Sequence, residues 1–188
     1  MSEDNKEFSS DFIFKIVVIG EGAVGKTSLI RRFTQGSFNQ EYIKTLGAQF
    51  SRYEKLIPEK NIRTRLFFWD IAGQKEFSFM RPTFYNGAKA AIIVYDLTRD
   101  DTLATIEEWY NDITTYCGKI PAICFGNKCD LIESSGKPYD ETAIKALAAK
   151  HGFLGFYQTS AKTGQKVQDA FNTIIDVLVQ NAVKNPTL

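Results

Sequence analysis

Short runs of apolar residues alternate along this chain with segments whose apolar positions recur at helical spacing. Unbroken apolar runs such as residues 90–95 are typical of strands buried on both faces. The last segment instead repeats apolar side chains every three or four residues from Val167 to Val179, as an amphipathic helix does. The pattern predicts strands at 12–19, 48–57, 62–71, 90–95, 122–125 and 153–159. It predicts helices from about 25 to Gly36, over 103–116, over 142–150 and over 167–183. Asp101 or Thr102 is the expected cap of the second of these helices. The stretch that follows the third strand, up to about residue 86, is weakly helical, and Pro82 limits it.

This alternation of strand and helix indicates an α/β domain with an open, mostly parallel six-stranded sheet and helices on both faces. The short turn at 58–61 predicts a hairpin between the second and third strands, which adds one antiparallel edge strand. Ligands of such sheets bind outside the carboxyl ends of the strands. Because each motif described below follows a strand, we expect all of them to converge on one edge of the sheet.

Composition fits one globular domain. The chain has 188 residues, of which 44% are apolar. Its 23 basic and 22 acidic side chains leave a net charge of +1. Charge therefore gives no reason to expect nucleic acid or an acidic membrane as a partner. Three cysteines without zinc-finger spacing favour a reducing compartment. No apolar run is long enough for a membrane span, and the first residues are too polar for a signal peptide. We expect a cytoplasmic monomer with a flexible segment at 1–11, a domain at 12–183 and a short tail at 184–188.

The clearest motif is a glycine-rich segment between the first strand and a helix that continues with Ser28; it reads Gly20-Glu21-Gly22-Ala23-Val24-Gly25-Lys26-Thr27. Glycines let backbone N–H groups turn towards phosphate oxygens, and the start of a helix adds its dipole. Lys26 supplies a charge for the terminal phosphates, and the Thr27 hydroxyl is a ligand for Mg²⁺. Because the strand, the loop and the helix start occur together, we interpret the segment as a binding site for a nucleoside triphosphate and not as an incidental glycine-rich turn. The segment does not identify the base.

A second group of polar residues follows the third strand, where Asp70 precedes Gly73 and Gln74. A carboxylate at this place can hold Mg²⁺ through water, and the Gly73 N–H can donate to the terminal phosphate. The Gln74 amide both donates and accepts hydrogen bonds, so it can orient a water molecule for attack. By itself the segment fits a tight turn capped by Asp70 equally well, but the neighbouring phosphate loop favours the catalytic interpretation.

The segment Asn127-Lys128-Cys129-Asp130 points to guanine as the base. A carboxylate accepts two parallel hydrogen bonds, from N1–H and from the exocyclic amino group, which guanine offers and adenine does not. The Lys128 stem can cover the purine face, and Asn127 can tie neighbouring loops together. After the last strand, Ser160-Ala161-Lys162 offers backbone N–H groups to guanine O6. Alone, each of these segments is also compatible with an ordinary solvated turn.

Together with Thr45, these motifs stand in the order and at the spacing of the Ras superfamily of small GTPases, which the chain resembles from about residue 12 to 183. Within it the chain is most similar to the Rab branch, in the segments at 69–74, 84–88 and 94–98. The resemblance implies the P-loop NTPase fold of small G proteins, GTP or GDP as ligand, Mg²⁺ as cofactor, and slow GTP hydrolysis with Lys26, Gly73 and Gln74 in catalytic roles. It also implies effector, activating and exchange proteins that bind the switch regions.

The same resemblance assigns roles to residues that the pattern alone does not single out. Thr45 would bind Mg²⁺ through its hydroxyl and the γ-phosphate through its N–H. Phe38 would pack against the edge of guanine, and Tyr42 would close over the phosphates. The aromatic triad that Rab proteins present to effectors is matched by Phe50, Trp69 and Phe84. Ordinary core or hairpin packing is the alternative explanation for these three side chains.

The chain departs from the Rab pattern at Gln49, Ile71, Lys75 and Pro82, so the partners of any particular Rab protein are not transferable. Its last five residues include no cysteine that could carry a prenyl chain. Membrane attachment is therefore expected only if a lipidated tail follows residue 188.

The sequence thus predicts a guanine-nucleotide switch that serves Rab-like membrane trafficking or signalling. No arginine is evidently placed to act on the transferring phosphate, so intrinsic hydrolysis should be slow and an activating protein should supply one. One alternative is a nucleotide-locked interaction module, which intact Gly22, Thr45 and Gln74 argue against. Another is a metabolic P-loop kinase or ATPase, which the guanine motif and the lack of an acceptor-substrate domain argue against.

Overall fold

A single six-stranded sheet forms the centre of the computed structural model, which describes residues 8–39, 41, 44–136 and 139–185. The strands are β1 Ser10–Ile19, β2 Ala48–Ile57, β3 Ile62–Ile71, β4 Ala90–Asp96, β5 Ala122–Asn127 and β6 Phe156–Thr159. Their order across the sheet is β2-β3-β1-β4-β5-β6, with β2 antiparallel to β3 and the other pairs parallel. The predicted parallel sheet with one antiparallel edge strand is confirmed.

Helices cover both faces of this sheet. In the described residues they are α1 Lys26–Gln35, α2 Arg81–Tyr85, α3 Asp100–Ala104, α4 Ile106–Cys117, α5 Cys129–Ser135, α6 Thr142–His151 and α7 Val167–Lys184. Short 3-10 turns occur at Pro58–Lys60 and Lys75–Met80. None of the helices in these parts of the chain is both long and apolar enough to cross a bilayer.

Two apolar layers hold the sheet between its helices. On one face, Phe33 of α1 stacks on Phe171 of α7 with ring centroids 4.4 Å apart, and Phe68 of β3 meets both rings edge-on. On the other face, fully or nearly fully buried side chains of α2, α4 and α6 include Tyr85, Trp109, Ile113 and Ile144. Full burial of a phenylalanine or isoleucine side chain such as these stabilises the fold by ~1.5–3 kcal/mol. The sheet is therefore a rigid platform for the loops at its edge.

The register of the strands aligns their carboxyl ends. Val18 is paired with Asp70, Asp96 with Asn127, and Asn127 with Thr159. Because parallel strands end at the same edge, the loops after β1, β3, β4, β5 and β6 emerge side by side. The position of the candidate site follows from this register.

The helix predicted over 103–116 is two helices, and neither Asp101 nor Thr102 caps it. The first, α3, begins at Asp100 after Arg99, and Thr105 separates it from α4. The Thr102 hydroxyl instead accepts a hydrogen bond from the Asp96 N–H at 3.0 Å, and the Thr105 hydroxyl donates to the Thr102 carbonyl at 3.1 Å. Local bonds of this kind compete with helical hydrogen bonding and explain the break.

Four smaller differences concern element boundaries. Pro82 opens α2 instead of ending a helix, since its fixed φ and missing N–H suit a first turn. The last strand is shorter than predicted, because the Phe153 N–H bonds the Ala148 carbonyl and closes α6. The predicted flexible segment at 1–11 overlaps β1, which begins at Ser10. Helix α5 was not predicted; Lys128 precedes it and Gly136 ends it, both in the left-handed region.

Candidate functional site

The loops after β1, β3, β5 and β6 surround a cleft of about 260 Å³ at the carboxyl edge of the sheet. Its lining contains most of the predicted nucleotide-binding residues: Gly22, Ala23, Gly25, Lys26, Thr27, Ser28, Phe38, Thr45, Gly73, Gln74, Asn127, Lys128, Asp130, Ala161 and Lys162. Arg31, Asn39, Glu41, Ala72 and Leu131, which were not predicted, also line it. The expected convergence of the motifs on one edge is confirmed. Tyr42 lies outside the described residues.

The phosphate loop has the backbone conformation that turns N–H groups to one side. Gly25 has φ +100°, and a Cβ there would collide with the Asn127 side-chain nitrogen, so only glycine fits. Ala23 also lies in the left-handed region, with φ 62°, which is uncommon for a residue with a side chain. The first helical hydrogen bond runs from the Leu29 N–H to the Gly25 carbonyl at 2.9 Å. Successive residues of this kind form a concave, anion-binding backbone at a helix start.

Lys26 places a buried positive charge inside this loop. Its side chain is 6% exposed, and Nζ donates to the carbonyl oxygens of Gly20 and Glu21 at 2.7 and 2.8 Å. Burial lowers the pKa of Lys26 to about 8, while the carboxylates of Asp70 and Glu21 act in the opposite direction. An ammonium group that pays this desolvation cost gains strongly from a neighbouring anion such as a phosphate.

Three oxygen-bearing side chains meet beside Lys26. Oδ2 of Asp70 accepts a hydrogen bond from the Thr27 hydroxyl, and the Thr45 hydroxyl lies 3.5 Å from the same oxygen and 3.2 Å from the Thr27 hydroxyl. Burial raises the pKa of Asp70, and Lys26 opposes that effect. Oδ1 of Asp70 is buried without a hydrogen-bond partner, which is unusual for a carboxylate oxygen. Two hydroxyls and a carboxylate are the oxygen donors that suit Mg²⁺.

Gly73 and Gln74 lie against the phosphate loop. A Cβ on Gly73 would collide with backbone atoms of Gly20, Glu21 and Gly22, so this close approach requires glycine. The Gln74 side chain lies beside Gly22, with Nε2 3.6 Å from where a Cβ on Gly22 would be. Gln74 therefore lies at the Gly22 end of the phosphate loop and lines the cleft.

Replacing Gly22 by valine should slow the predicted GTP hydrolysis roughly tenfold and leave GDP affinity nearly unchanged, since a displacement of about 1 Å in a catalytic site can cost ~10²-fold. The first added carbon fits, because Gln74 would lie at ordinary contact distance from it, but the two valine methyl groups must enter space that the Gln74 amide uses. Phosphate release in a single turnover measures the effect. Gly22→Ala is the matched control, and a valine variant as fast as wild type would contradict the placement of Gln74 against Gly22.

At the other end of the cleft, Asn127 joins two loops. Its Nδ2 donates to the Val24 carbonyl at 2.9 Å, and its Oδ1 accepts from the Ala161 N–H at 3.1 Å. Asp130 accepts a hydrogen bond from the Ser160 hydroxyl at 2.6 Å on one carboxylate oxygen. The phosphate loop and the two segments predicted to read guanine are thus connected by side-chain hydrogen bonds, and Phe38 lies at the lining of the same cleft.

The sequence did not single out an ion-pair network behind the lining. Asp96 at the end of β4 is 1% exposed and lies 2.6 Å from Nζ of Lys128 and 3.3 Å from Nε of Arg99. Burial raises its pKa, but hydrogen bonds from Lys128 and Thr98 outweigh burial and hold that pKa below its ordinary value. Arg99 in turn donates from Nη2 to the Gly22 carbonyl at 2.8 Å. The sequence signal that could have indicated this network is a carboxylate, Asp96, at the end of a buried strand, with Arg99 three residues later.

A second unpredicted group supports the phosphate loop from α4. Nε1 of Trp109 donates to the Glu21 carboxylate at 3.0 Å, and the guanidinium of Arg81 lies over the Trp109 ring at 3.9 Å. Nη2 of Arg81 also lies 3.4 Å from the Gly73 carbonyl oxygen, as a long hydrogen bond. Trp109 and Arg81 therefore contact both the phosphate loop and the segment after β3, an arrangement that is visible only in the tertiary structure.

Three aromatic residues form a continuous strip across β2, β3 and α2. Trp69 lies between Phe50 and Phe84, with ring centroids 5.7 and 5.8 Å away. Phe50 is 52% exposed, whereas the other two are half-buried. Nζ of Lys15 lies 4.4 Å from the centre of the Trp69 ring. The strip combines packing within the sheet with an exposed aromatic face.

Comparison with known proteins gives consistent matches over most of the chain. A sequence profile described as the Ras family matches residues 15–180. The chain is 38% identical over 168 residues to Ras-related protein Rab-18-B of Danio rerio, covering 88% of this chain and 79% of that protein. It is 38% identical over 173 residues to Ras-related protein Rab-13 of Canis lupus familiaris, covering 91% and 83%. Ras-related protein RABA5c of Arabidopsis thaliana is 35% identical over 182 residues, covering 96% and 82%.

Proposed function

The chain belongs to the Ras family of small GTPases, and on that premise we propose that it is a Mg²⁺-dependent molecular switch that binds GTP and slowly hydrolyses it to GDP and phosphate. The observation that carries the proposal is the meeting of phosphate loop, guanine motif and Gln74 in one cleft. Lys26 and the loop N–H groups bind the phosphates, and Asp130 accepts the two guanine N–H hydrogen bonds. Ser160, Ala161 and Lys162 form the O6 side of the base site.

Thr27 and Thr45 would hold Mg²⁺ directly and Asp70 through water, in keeping with the buried, unpartnered Oδ1 of Asp70. When bound, the ion supplies positive charge to the phosphate oxygens. Thr27 and Lys26 come from the start of α1, whereas Thr45 comes from the segment before β2. The proposed Mg²⁺ site is complete only when the segment before β2 brings Thr45 next to Thr27 and Asp70.

Hydrolysis needs a water molecule in line with the γ-phosphorus. Gln74 would orient this water by accepting one of its hydrogen bonds, while Lys26 and the Gly73 N–H balance charge on the transferring group. The new bond forms between the water oxygen and phosphorus, and the bond to the bridging oxygen breaks with its electron pair remaining on GDP. Both hydrogens of the water leave with the phosphate product, one on the attacking oxygen and the other transferred to a second phosphate oxygen.

The switch itself would lie in the two segments that touch the γ-phosphate. The γ-phosphate would add hydrogen bonds to Thr45 and Gly73, so its loss on hydrolysis would loosen both segments. Effector, activating and exchange proteins would read this difference, in Rab-like membrane trafficking or signalling. We place the protein in the cytoplasm, with peripheral membrane attachment if a lipidated segment follows residue 188.

The aromatic strip of Phe50, Trp69 and Phe84 is the surface we assign to effectors, because exposed aromatic side chains dominate interface energetics. Replacing Phe50 by alanine should weaken effector binding by ~2 kcal/mol or more, about 30-fold, and leave GTP hydrolysis unchanged. The measurement is affinity for a partner captured specifically by the GTP-loaded protein. Leu56→Ala, on the same edge strand and 48% exposed, is the control. Equal binding by both variants would favour packing as the role of Phe50.

The experiment that tests the proposed function is single-turnover hydrolysis of GTP with and without Mg²⁺, with the bound nucleotide identified before and after. Slow conversion of GTP to GDP that requires Mg²⁺ is the expected result. Tight GTP binding without conversion, even after addition of a cell extract, would instead identify a nucleotide-locked module. Displacement of bound GTP by ATP would identify an adenine-nucleotide enzyme.

A further inference from the structure

The described helices leave one face of the sheet open where β1, β2 and β3 run side by side. Along β3, buried residues alternate with the partly exposed Arg63, Arg65, Phe67 and Trp69. The buried set belongs to the apolar layer shared with α1 and α7, so the alternate set points to the opposite face of the sheet. On that face, Phe84 of α2 packs against Trp69 at the end of β3. From Phe67 towards the hairpin turn, the face is accessible to solvent.

The strand register sets out this area in three rows, with one residue from each strand in a row. We call it the open sheet face and define it by residues 11–15 of β1, 52–56 of β2 and 63–67 of β3. Each row contains one apolar side chain, which is Leu56, Ile13 or Phe67 in turn from the hairpin. Leu56 and Ile13 are 48% and 54% exposed. A sheet face that only meets water carries polar residues at such positions, so these three side chains indicate a surface that a partner covers.

The open sheet face also concentrates positive charge. It carries four cations and two carboxylates: Lys15, Arg52, Arg63, Arg65, Asp11 and Glu54. These leave a charge of +2 on the face, against +1 for the whole chain. Asp11 binds both Arg63 and Arg65, at 2.7 and 2.6 Å, so it balances only one of the two guanidinium groups. A surface of this kind attracts a partner that carries acidic side chains.

The uncovered area has the dimensions of one short helix. Neighbouring strands lie ~4.8 Å apart, so three strands span about 10 Å, which is the diameter of an α-helix with its side chains. Three rows extend about 13 Å along the strands, the length of two to three helical turns. Because mostly parallel sheets carry helices on both faces, a helix is the element that this part of the sheet lacks.

We propose that the open sheet face binds an amphipathic helix of a partner protein, with an apolar stripe over Leu56, Ile13 and Phe67 and acidic side chains beside that stripe. The face lies entirely in regular strands, outside the segments that carry Thr45 and Gln74. Binding is therefore independent of whether GDP or GTP is present. This property separates the open sheet face from the aromatic strip, which we assign to effectors that recognise the GTP form.

A synthetic peptide of about 18 residues, long enough to be helical, is the probe. It carries a leucine stripe flanked by glutamates, and a matched peptide has lysine in place of each glutamate. Isotope-labelled protein, loaded with GDP or with a non-hydrolysable GTP analogue, is titrated with each peptide and followed by NMR. The glutamate peptide should shift the methyl resonances of Ile13 and Leu56 and bind both nucleotide forms equally. The lysine peptide should bind at least roughly tenfold more weakly.

Charge reversal on the face provides the variants. Arg65→Glu should weaken binding of the glutamate peptide about tenfold, because it replaces an attraction by a repulsion. Arg52→Glu should have a similar effect; Arg52 is 58% exposed and pairs with the exposed Glu54, so this variant serves if loss of the bond from Arg65 to Asp11 disturbs the fold. Lys145→Glu makes the same change of charge on α6, where Lys145 is 63% exposed, and should bind as wild type.

Several results would overturn the proposal. One is a glutamate peptide that does not bind, or that binds both face variants as well as wild type. Another is binding to the GTP form alone, which would locate the peptide on the aromatic strip. Vesicles with and without phosphatidylserine, and the sedimentation of the protein alone, are measured in parallel. Vesicle binding or self-association that Arg52→Glu abolishes, without peptide binding, would identify a membrane or a second copy of this chain as the occupant.

Discussion

Leucine in place of Gln74 is expected to leave GTP and GDP bound as tightly as in wild type and to lower single-turnover hydrolysis by about 10²-fold. The physical reason is the loss of the Gln74 amide, which lies beside Gly22 at the expected γ-phosphate end of the cleft. Leucine has nearly the same volume but neither donates nor accepts a hydrogen bond, so water is no longer held in line for attack.

The measurement is phosphate release from a preformed GTP complex, with nucleotide affinity determined in parallel. Gln180→Leu on the exposed side of α7 makes the same chemical change away from the cleft and should behave as wild type. If Gln74→Leu instead abolished nucleotide binding, the role of Gln74 would be to support the loop.

Asparagine in place of Asp130 is expected to reduce GTP affinity by at least ~10²-fold and to create a preference for xanthine nucleotides. Hydrogen bonds to a charged group contribute about 1.5–3 kcal/mol each, and the variant loses one of the two that guanine makes and gains a clash between amino groups. Xanthine carries a carbonyl where guanine has its amino group, so it accepts from the new amide.

Ser160 sharpens this expectation. Because its hydroxyl donates to one Asp130 oxygen at 2.6 Å, the asparagine amide is expected to turn its oxygen towards Ser160 and its amino group towards the base. Competition between GTP and XTP for the purified protein measures the change. Asp176→Asn, an exposed carboxylate on α7, is the control. Retained selectivity for GTP would remove Asp130 as the guanine reader.

How far the sequence predicts the structure depends on whether a feature is local. The hairpin strands at 48–57 and 62–71 were predicted with their observed bounds, because their turn and their alternation are both visible within 25 residues. The phosphate loop was predicted for the same reason, since strand, glycines and helix start are consecutive. The break at Thr105 was missed because two threonine hydroxyls, not apolar spacing, decide it.

Features that depend on distant pairs left no local pattern. Arg99 and Gly22 are 77 residues apart, and Trp109 and Glu21 are 88 apart. An arginine after a strand and a tryptophan in a helix are each compatible with many environments, so nothing in the sequence alone places them on the phosphate loop. The contact between Arg99 and Gly22 forms only when β4 is laid beside β1.

The hydrogen bonds of Asn127 have a consequence for how the two halves of a nucleotide are recognised. One amide holds the phosphate loop at Val24 and the base loop at Ala161, so both loops are ordered by folding and lose little further entropy when a ligand arrives. A nucleoside and a pyrophosphate offered separately would each use half of this prepared surface and each lose its own translational freedom. Their joined form loses that freedom once, so GTP gains far more affinity than its parts suggest.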